Sequence, residues 1–196
     1  MSQLHFFLRS EDVEEEHLIR LGKISPSQYF LQLQQSLLNC GLNVQPYEQG
    51  QPLLKLVKQS VQVKLGGGTF LVAAVCQPLP TQKKSKPSGV IFDDCSFLQV
   101  KEFLLYDVSL EVLYSYEYSY HFGIWDYDNE KEVYQLRYDR EVVKRNPPRK
   151  AIEHFHVYFD DPHFDTKFMK LSDVLNFIYI NWDHSNNKFH IKDLVY

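Results

Sequence analysis

The sequence predicts an α+β fold: an antiparallel β-sheet, laid out as a meander, packed on one face by N-terminal and C-terminal helices. Three observations predict it. Candidate strands follow one another in series from Val90 onward, and the clearest helical patterns sit towards the two ends. The chain carries 13 Tyr and 14 Phe against 2 Met. Many of these aromatics fall on alternate positions of the long strands, as a half-buried sheet requires.

Each element has its local reason. Ser10, followed by a run of acids from Glu11 to Glu16, suits the positive end of a helix dipole. Leu18, Ile19 and Leu21 then give a thin apolar side, and Gly22 a stop, so a short acidic helix is expected within residues 1–24. Ser25 as cap, Pro26 at the first helical position and Tyr29, Phe30, Leu33, Leu37 and Leu38 at helical spacing predict a second helix ending at Gly41. The period then changes to two. Val44 to Tyr47, Leu53 to Val57 and Val61 to Leu65 are candidate strands, and Gly66-Gly67-Gly68 is a hairpin turn leading into Thr69 to Val75. The glycines lack the spacing of a phosphate-binding loop. Residues 78–89, with prolines and three lysines, read as an exposed loop. Val90 to Phe92, Phe97 to Tyr106, Val112 to Phe122, Val133 to Asp139 and His154 to Phe159 complete the meander. Ser172-Asp173 caps a last helix carrying Val174, Leu175, Phe177 and Ile178, and Lys188 to Tyr196 offers one more strand. The domain reading is an N-terminal extension over 1–24, one α+β domain over 25–181 and a tail over 182–196.

Composition bounds the function. With 44% hydrophobic residues the chain can bury a real core. The formal net charge of -4 gives no global pull towards nucleic acid, so any basic surface must be local. No apolar run approaches the roughly 20 residues of a membrane helix, and the N-terminus turns acidic too soon for a secretory leader. Cys40, Cys76 and Cys95 are far apart and lack a CxxC spacing. That argues against a disulfide framework and makes a reducing cytoplasm the expected location.

Alternation sorts side chains onto two faces. In the long strand, Tyr114, Tyr116, Tyr118, Tyr120 and Phe122 share one face, opposite Leu113, Ser115, Glu117, Ser119 and His121. Tyr134, Leu136 and Tyr138, then Phe155, Val157 and Phe159, extend the aromatic layer. The other side gathers Glu117, His121, Arg137, Asp139, His154 and His156. A solvated face with cross-strand ion pairs accounts for this set as readily as a site does. Read as a site, imidazoles serve as acid and base near neutrality, an arginine steadies phosphate charge, and a carboxylate orients an imidazole. That suffices for metal-independent RNA cleavage through the 2′-hydroxyl, and equally for phosphate binding alone. His154 and His156 could also ligate an ion with Asp139 or Glu117. Neither spacing nor ligand count is diagnostic and a zinc site would call for a third His, so no metal and no cofactor is assigned. Residues 137–150 hold six basic residues, Arg137, Arg140, Lys144, Arg145, Arg149 and Lys150, against two acids. The last five of those cations form a candidate nucleic-acid surface beside the cluster.

The order of these motifs resembles the TumE family of toxins from prokaryotic type II toxin–antitoxin systems. The residues that carry the resemblance run from about 25 to 180. They are Ser27-Gln28-Tyr29-Phe30-Leu31 on a helix, then Phe92-Asp93-Asp94-Cys95-Ser96 before Glu102-Phe103. The aromatic strand Tyr116 to Phe122 follows, then Arg137-Tyr138-Asp139, Glu153-His154-Phe155-His156 and Leu171-Ser172-Asp173-Val174-Leu175. Two positions depart from the family pattern: Arg140 stands where it has Asn, and Glu153 where it has the first His of a cluster. The resemblance implies a toxin neutralised by a small antitoxin protein and acting on RNA or the translation machinery. The expected partners are therefore RNA and a cognate antitoxin, with homodimerisation left open and no membrane. In the ribonuclease reading His154 and His156 are base and acid, Arg137 steadies the phosphate, and Asp139 or Glu117 orients the imidazoles. The competing readings are a non-catalytic nucleic-acid-binding module and a pure protein-interaction module of a defence or mobile-element locus.

Overall fold

The computed structural model describes residues 13, 15–45, 52–65, 68–76, 89–142, 152–157, 164–183, 186 and 188–189. One antiparallel sheet dominates it. After a 3-10 turn at Glu15–His17 come β1 (Ile19–Gly22), α1 (Pro26–Leu38), β2 (Lys55–Leu65), β3 (Gly68–Cys76), β4 (Val90–Ile91), β5 (Ser96–Asp107), β6 (Val112–Asp126), β7 (Lys131–Arg140), β8 (Glu153–Val157), β9 (Phe164–Asp165) and α2 (Leu171–Asn181). A separate two-stranded ribbon joins β10 (Trp182–Asp183) to β11 (Lys188–Phe189). The main path runs β2-β3-β5-β6-β7-β8-β9, with β4 paired to β5 and β1 to β6. The expected α+β class and the two helices on one face are therefore observed.

The helices begin as their residues dictate. Ser25 accepts from the backbone of Gln28 at 3.3 Å while the Gln28 side chain accepts the Ser25 N–H at 3.0 Å, a reciprocal capping box. In α2 the Asp173 carboxylate takes the Lys170 N–H at 3.0 Å, so the cap is Lys170 and the helix starts at Leu171, two residues earlier than a cap at Ser172 predicts. Gly41 follows α1 with φ 78, and the Tyr179 ring of α2 lies 2.6 Å from where a Cβ would sit. Only a glycine allows that close approach of the two helices.

Three expectations are corrected. The acidic N-terminal segment is not a helix through Leu21. Its described part is the 3-10 turn and β1, which pairs Ile19 with Ser115 and Arg20 with Tyr114. β1 continues the edge of β6 that β7 occupies further along, so residues 19–22 belong to the sheet. Leu53 to Leu65 is not two strands separated by a gap. It contains one strand, β2, with a register irregularity between Lys58 and Gln62. Third, the tyrosine face of β6 is not continuous. Phe103 pairs with Glu117 but Leu104 pairs with Ser115, which leaves Tyr116 as an extra residue in a β-bulge. The bulge flips the alternation. Tyr118, Tyr120 and Phe122 face the helices, whereas Tyr114 and Tyr116 turn to the opposite side.

Both faces consequently carry apolar packing. Under α1 and α2 lies the larger core, with Leu33, Leu37, Leu98, Leu104, Tyr120, Phe122, Val174 and Ile178. Tyr118 and Tyr120 stack there at 4.9 Å between ring centroids. The opposite face holds a smaller core of Val13, Val63, Phe70, Val72, Phe103, Leu105 and Tyr116. Polar side chains occupy the rest of that face, beyond Phe103. Of the other expected elements, the strand at Val44 is a single bridge to Phe92, and the tail strand is seen only as Lys188–Phe189. Gly66, Gly67, most of the 78–89 loop and residues 46–51 lie outside the described residues.

Candidate functional site

Sheet register builds the polar patch. One row across the face runs Lys101, Ser119, Asp139, His154, each paired to the next. The adjacent row runs Gln99, His121, Arg137, His156. The consecutive strands β7 and β8 thus place Arg137, Asp139, His154 and His156 side by side, as period-two alternation predicts.

Asp139 is the hub. Its carboxylate, 3% exposed, accepts from Arg137 Nε at 2.6 Å. The same oxygen, Oδ2, lies 3.4 Å from His156 Nε2 and 3.8 Å from His154 Nε2. Arg137 Nη2 also reaches His156 Nε2 at 3.2 Å. His154 Nδ1 is 3.3 Å from the Ile152 carbonyl. Both imidazoles are buried, at 0% and 1% exposure. Arg137 is partly exposed, at 28% of its side chain, and is the edge of the cluster that meets solvent.

Beside the cluster is a pocket of about 220 Å³, lined by Lys101, Phe103, Glu117, Tyr118, Ser119, Arg137, Asp139, Arg140 and Glu141. The histidines are not among its walls. Glu117 accepts the Val142 N–H at 3.2 Å, and burial raises its carboxyl above the usual range. Burial also lowers the Lys101 ammonium, against the pull of Glu117, Asp139 and Glu141. A carboxyl shifted up and an amine shifted down in one pocket bring both towards neutrality, where proton transfer is easiest.

The sequence-predicted residues divide accordingly. Arg137, Asp139, His154 and His156 form one contact network, and Glu117 shares the pocket with Arg137 and Asp139. His121 is the register partner of Arg137, but its ring packs edge-on against Phe97 at 5.9 Å. Arg140, expected on the nucleic-acid surface, is buried and tied into the fold, and it forms part of the pocket wall. It is 4% exposed and donates to the Tyr116 carbonyl at 3.0 Å, to the His17 carbonyl and to the Glu153 carboxylate. The bulge turns the Tyr116 carbonyl away from the ladder, and Arg140 fills the joint where β1 meets β7. Lys144, Arg145, Arg149 and Lys150 lie outside the described residues. Lys101 and Glu141 are functional candidates that alternation around Asp139 did not reach. Applying the same period to Gln99, Lys101 and Phe103 would have put Lys101 on this face.

A second buried carboxyl lies under the helices. Tyr120 Oη donates to Glu102 at 2.6 Å, and burial pushes Glu102 up to about 7. Among the described residues no helix is long and apolar enough to cross a membrane. All three cysteines are free thiols. No protein-family model, curated protein or solved structure matches the chain.

Proposed function

We propose that this chain is a toxin of a toxin–antitoxin pair that acts in the cytoplasm on RNA, by metal-independent cleavage in the pocket on the polar face. One observation carries the reading. The pocket combines the cations Lys101, Arg137 and Arg140 with a partly buried carboxyl, Glu117, whose proton affinity is raised. In this reading Arg137 and Lys101 hold the phosphate and steady its developing charge. Glu117 takes the 2′-hydroxyl proton, the 2′-oxygen bonds to phosphorus as the P–O5′ bond breaks, and the Lys101 ammonium gives a proton to the departing 5′-oxygen. Because the imidazoles are enclosed, His154 and His156 act as positioning residues that fix Asp139, which in turn aims Arg137. The order of motifs shared with the TumE pattern supports the toxin part. Its two departures, Arg140 and Glu153, are register partners that form an ion pair with each other.

Purified protein incubated with total RNA in excess EDTA tests the proposal. Cleavage that survives EDTA, leaves 2′,3′-cyclic phosphate ends and is lost in Glu117→Gln and Arg137→Ala is expected. Intact RNA, or equal cleavage by both variants, overturns it. Growth arrest on induced expression, rescued by the adjacent gene, tests the antitoxin partner.

A further inference from the structure

The network around Asp139, which the cleavage reading uses only to aim Arg137, also has the geometry of an ion site. The Ile152 carbonyl can only accept, so the neutral His154 ring carries its proton on Nδ1 and presents the Nε2 lone pair towards Asp139. The guanidinium can only donate, so His156 Nε2 faces Arg137 with its lone pair as well. Two imidazole nitrogens and a carboxylate oxygen therefore converge, all within 4.8 Å of one another and all buried. The edges of 3.4 Å and 3.8 Å compare with about 3.3 Å between ligands of a tetrahedral ion with legs of about 2.05 Å. The carbonyl behind His154 is the outer partner that metal-bound histidines use to set tautomer and orientation.

From this the geometry points to a binding site for a divalent transition ion of the zinc class, held by Asp139 Oδ2, His154 Nε2 and His156 Nε2. Without the ion, Arg137 acts as the local cation on two of the three donors. Its partly exposed side chain gives it a way out towards the pocket. With the ion, the guanidinium is released from Asp139 and β7 is clipped to β8. The site goes beyond the proposed cleavage, which uses these three residues only in their ion-free arrangement around Arg137, and no bond of the substrate is broken on the ion.

The test uses the full chain, untagged by histidines and stripped with chelator, then dialysed against Zn²⁺ alone. One ion per chain is expected. Co²⁺ substitution should give the intense visible bands of four-coordination without a thiolate charge-transfer band. His154→Gln, His156→Gln and Asp139→Asn keep side-chain volume and should each weaken Zn²⁺ binding by more than about 100-fold. His17→Ala should bind as wild type, and Arg137→Ala, which lacks the competing guanidinium, at least as tightly. Substoichiometric Zn²⁺, a thiolate band, or unchanged binding in the three ligand variants overturns the site. Should a ligand variant fail to fold, the wild-type stoichiometry and Co²⁺ spectrum still decide. Metal uptake with intact RNA sinks the cleavage reading alone, and EDTA-resistant cleavage without uptake sinks this site alone.

Discussion

The two faces of the sheet each bury a carboxylate, and they treat it differently. Under the helices Glu102 is met by neutral tyrosine hydroxyls, with Tyr120 donating at 2.6 Å. Neutral donors do not offset the loss of water, so the proton is held up to about 7. On the open face Asp139 is met by a guanidinium at 2.6 Å and two imidazoles. There the surroundings supply cationic character, and a pocket adjoins. The lesson is that burial alone does not mark a site. A buried carboxyl among tyrosines stiffens a core, whereas one beside a partly exposed cation and a cavity can do chemistry.

The largest effect should come from the pocket. Glu117→Gln is expected to slow RNA cleavage by about 100-fold to 10,000-fold. The wild-type rate should rise with pH as Glu117 loses its proton, with a midpoint above the ordinary 4.5. A rate profile that keeps its acidic limb in Glu117→Gln would remove the distinction between the faces. Next is the joint between β1 and β7. Arg140→Ala strands the Glu153 carboxylate and two carbonyls, and should cost about 3–5 kcal/mol by urea unfolding. Arg140→Lys should recover less than half, because an ammonium cannot reach all three partners as a planar fork does. A cost below about 1 kcal/mol would show that the joint is not sealed by this residue.

The helix-covered face gives a pH signature. Glu102 binds its proton more tightly folded than unfolded, so its stabilising contribution is full below about 4.5 and is lost as pH rises through about 7. Glu102→Gln should flatten that slope and gain about 2–3 kcal/mol over wild type at pH 8. Equal slopes by thermal unfolding would place the titration elsewhere. The smallest effect is Tyr118→Phe. It removes the hydroxyl that accepts the Met169 N–H at 3.0 Å and should cost about 1 kcal/mol, with RNA cleavage unchanged.

Much of this was legible in the sequence because a strand's alternation is local. Arg137, Asp139, His154 and His156 share a face for the same reason that Tyr118, Tyr120 and Phe122 share the other. What was not legible is non-local. The Tyr-x-Tyr pattern runs unbroken through residue 116, and only pairing with β5 shows that one residue is extra. Arg140 reads as a loop cation until β1 and β7 are seen to meet beside it. The acids before Leu18 suit a helix start, but the apolar residues after them gain more by completing the edge of β6. Burial of the imidazoles depended on strands that arrive from both sides, which no spacing within β8 reports.

β1 has a consequence for how the chain can be handled. It covers the backbone of β6 from Leu113 to Ser115, and its approach supplies the His17 carbonyl to Arg140. A fragment begun at Ser25 would leave that stretch of β6 as an open socket, ready to take an extended segment from another molecule. Strand exchange between copies, or self-association into higher oligomers, is then the predicted behaviour of an N-terminally trimmed chain. A synthetic peptide spanning 13–24 should reverse it.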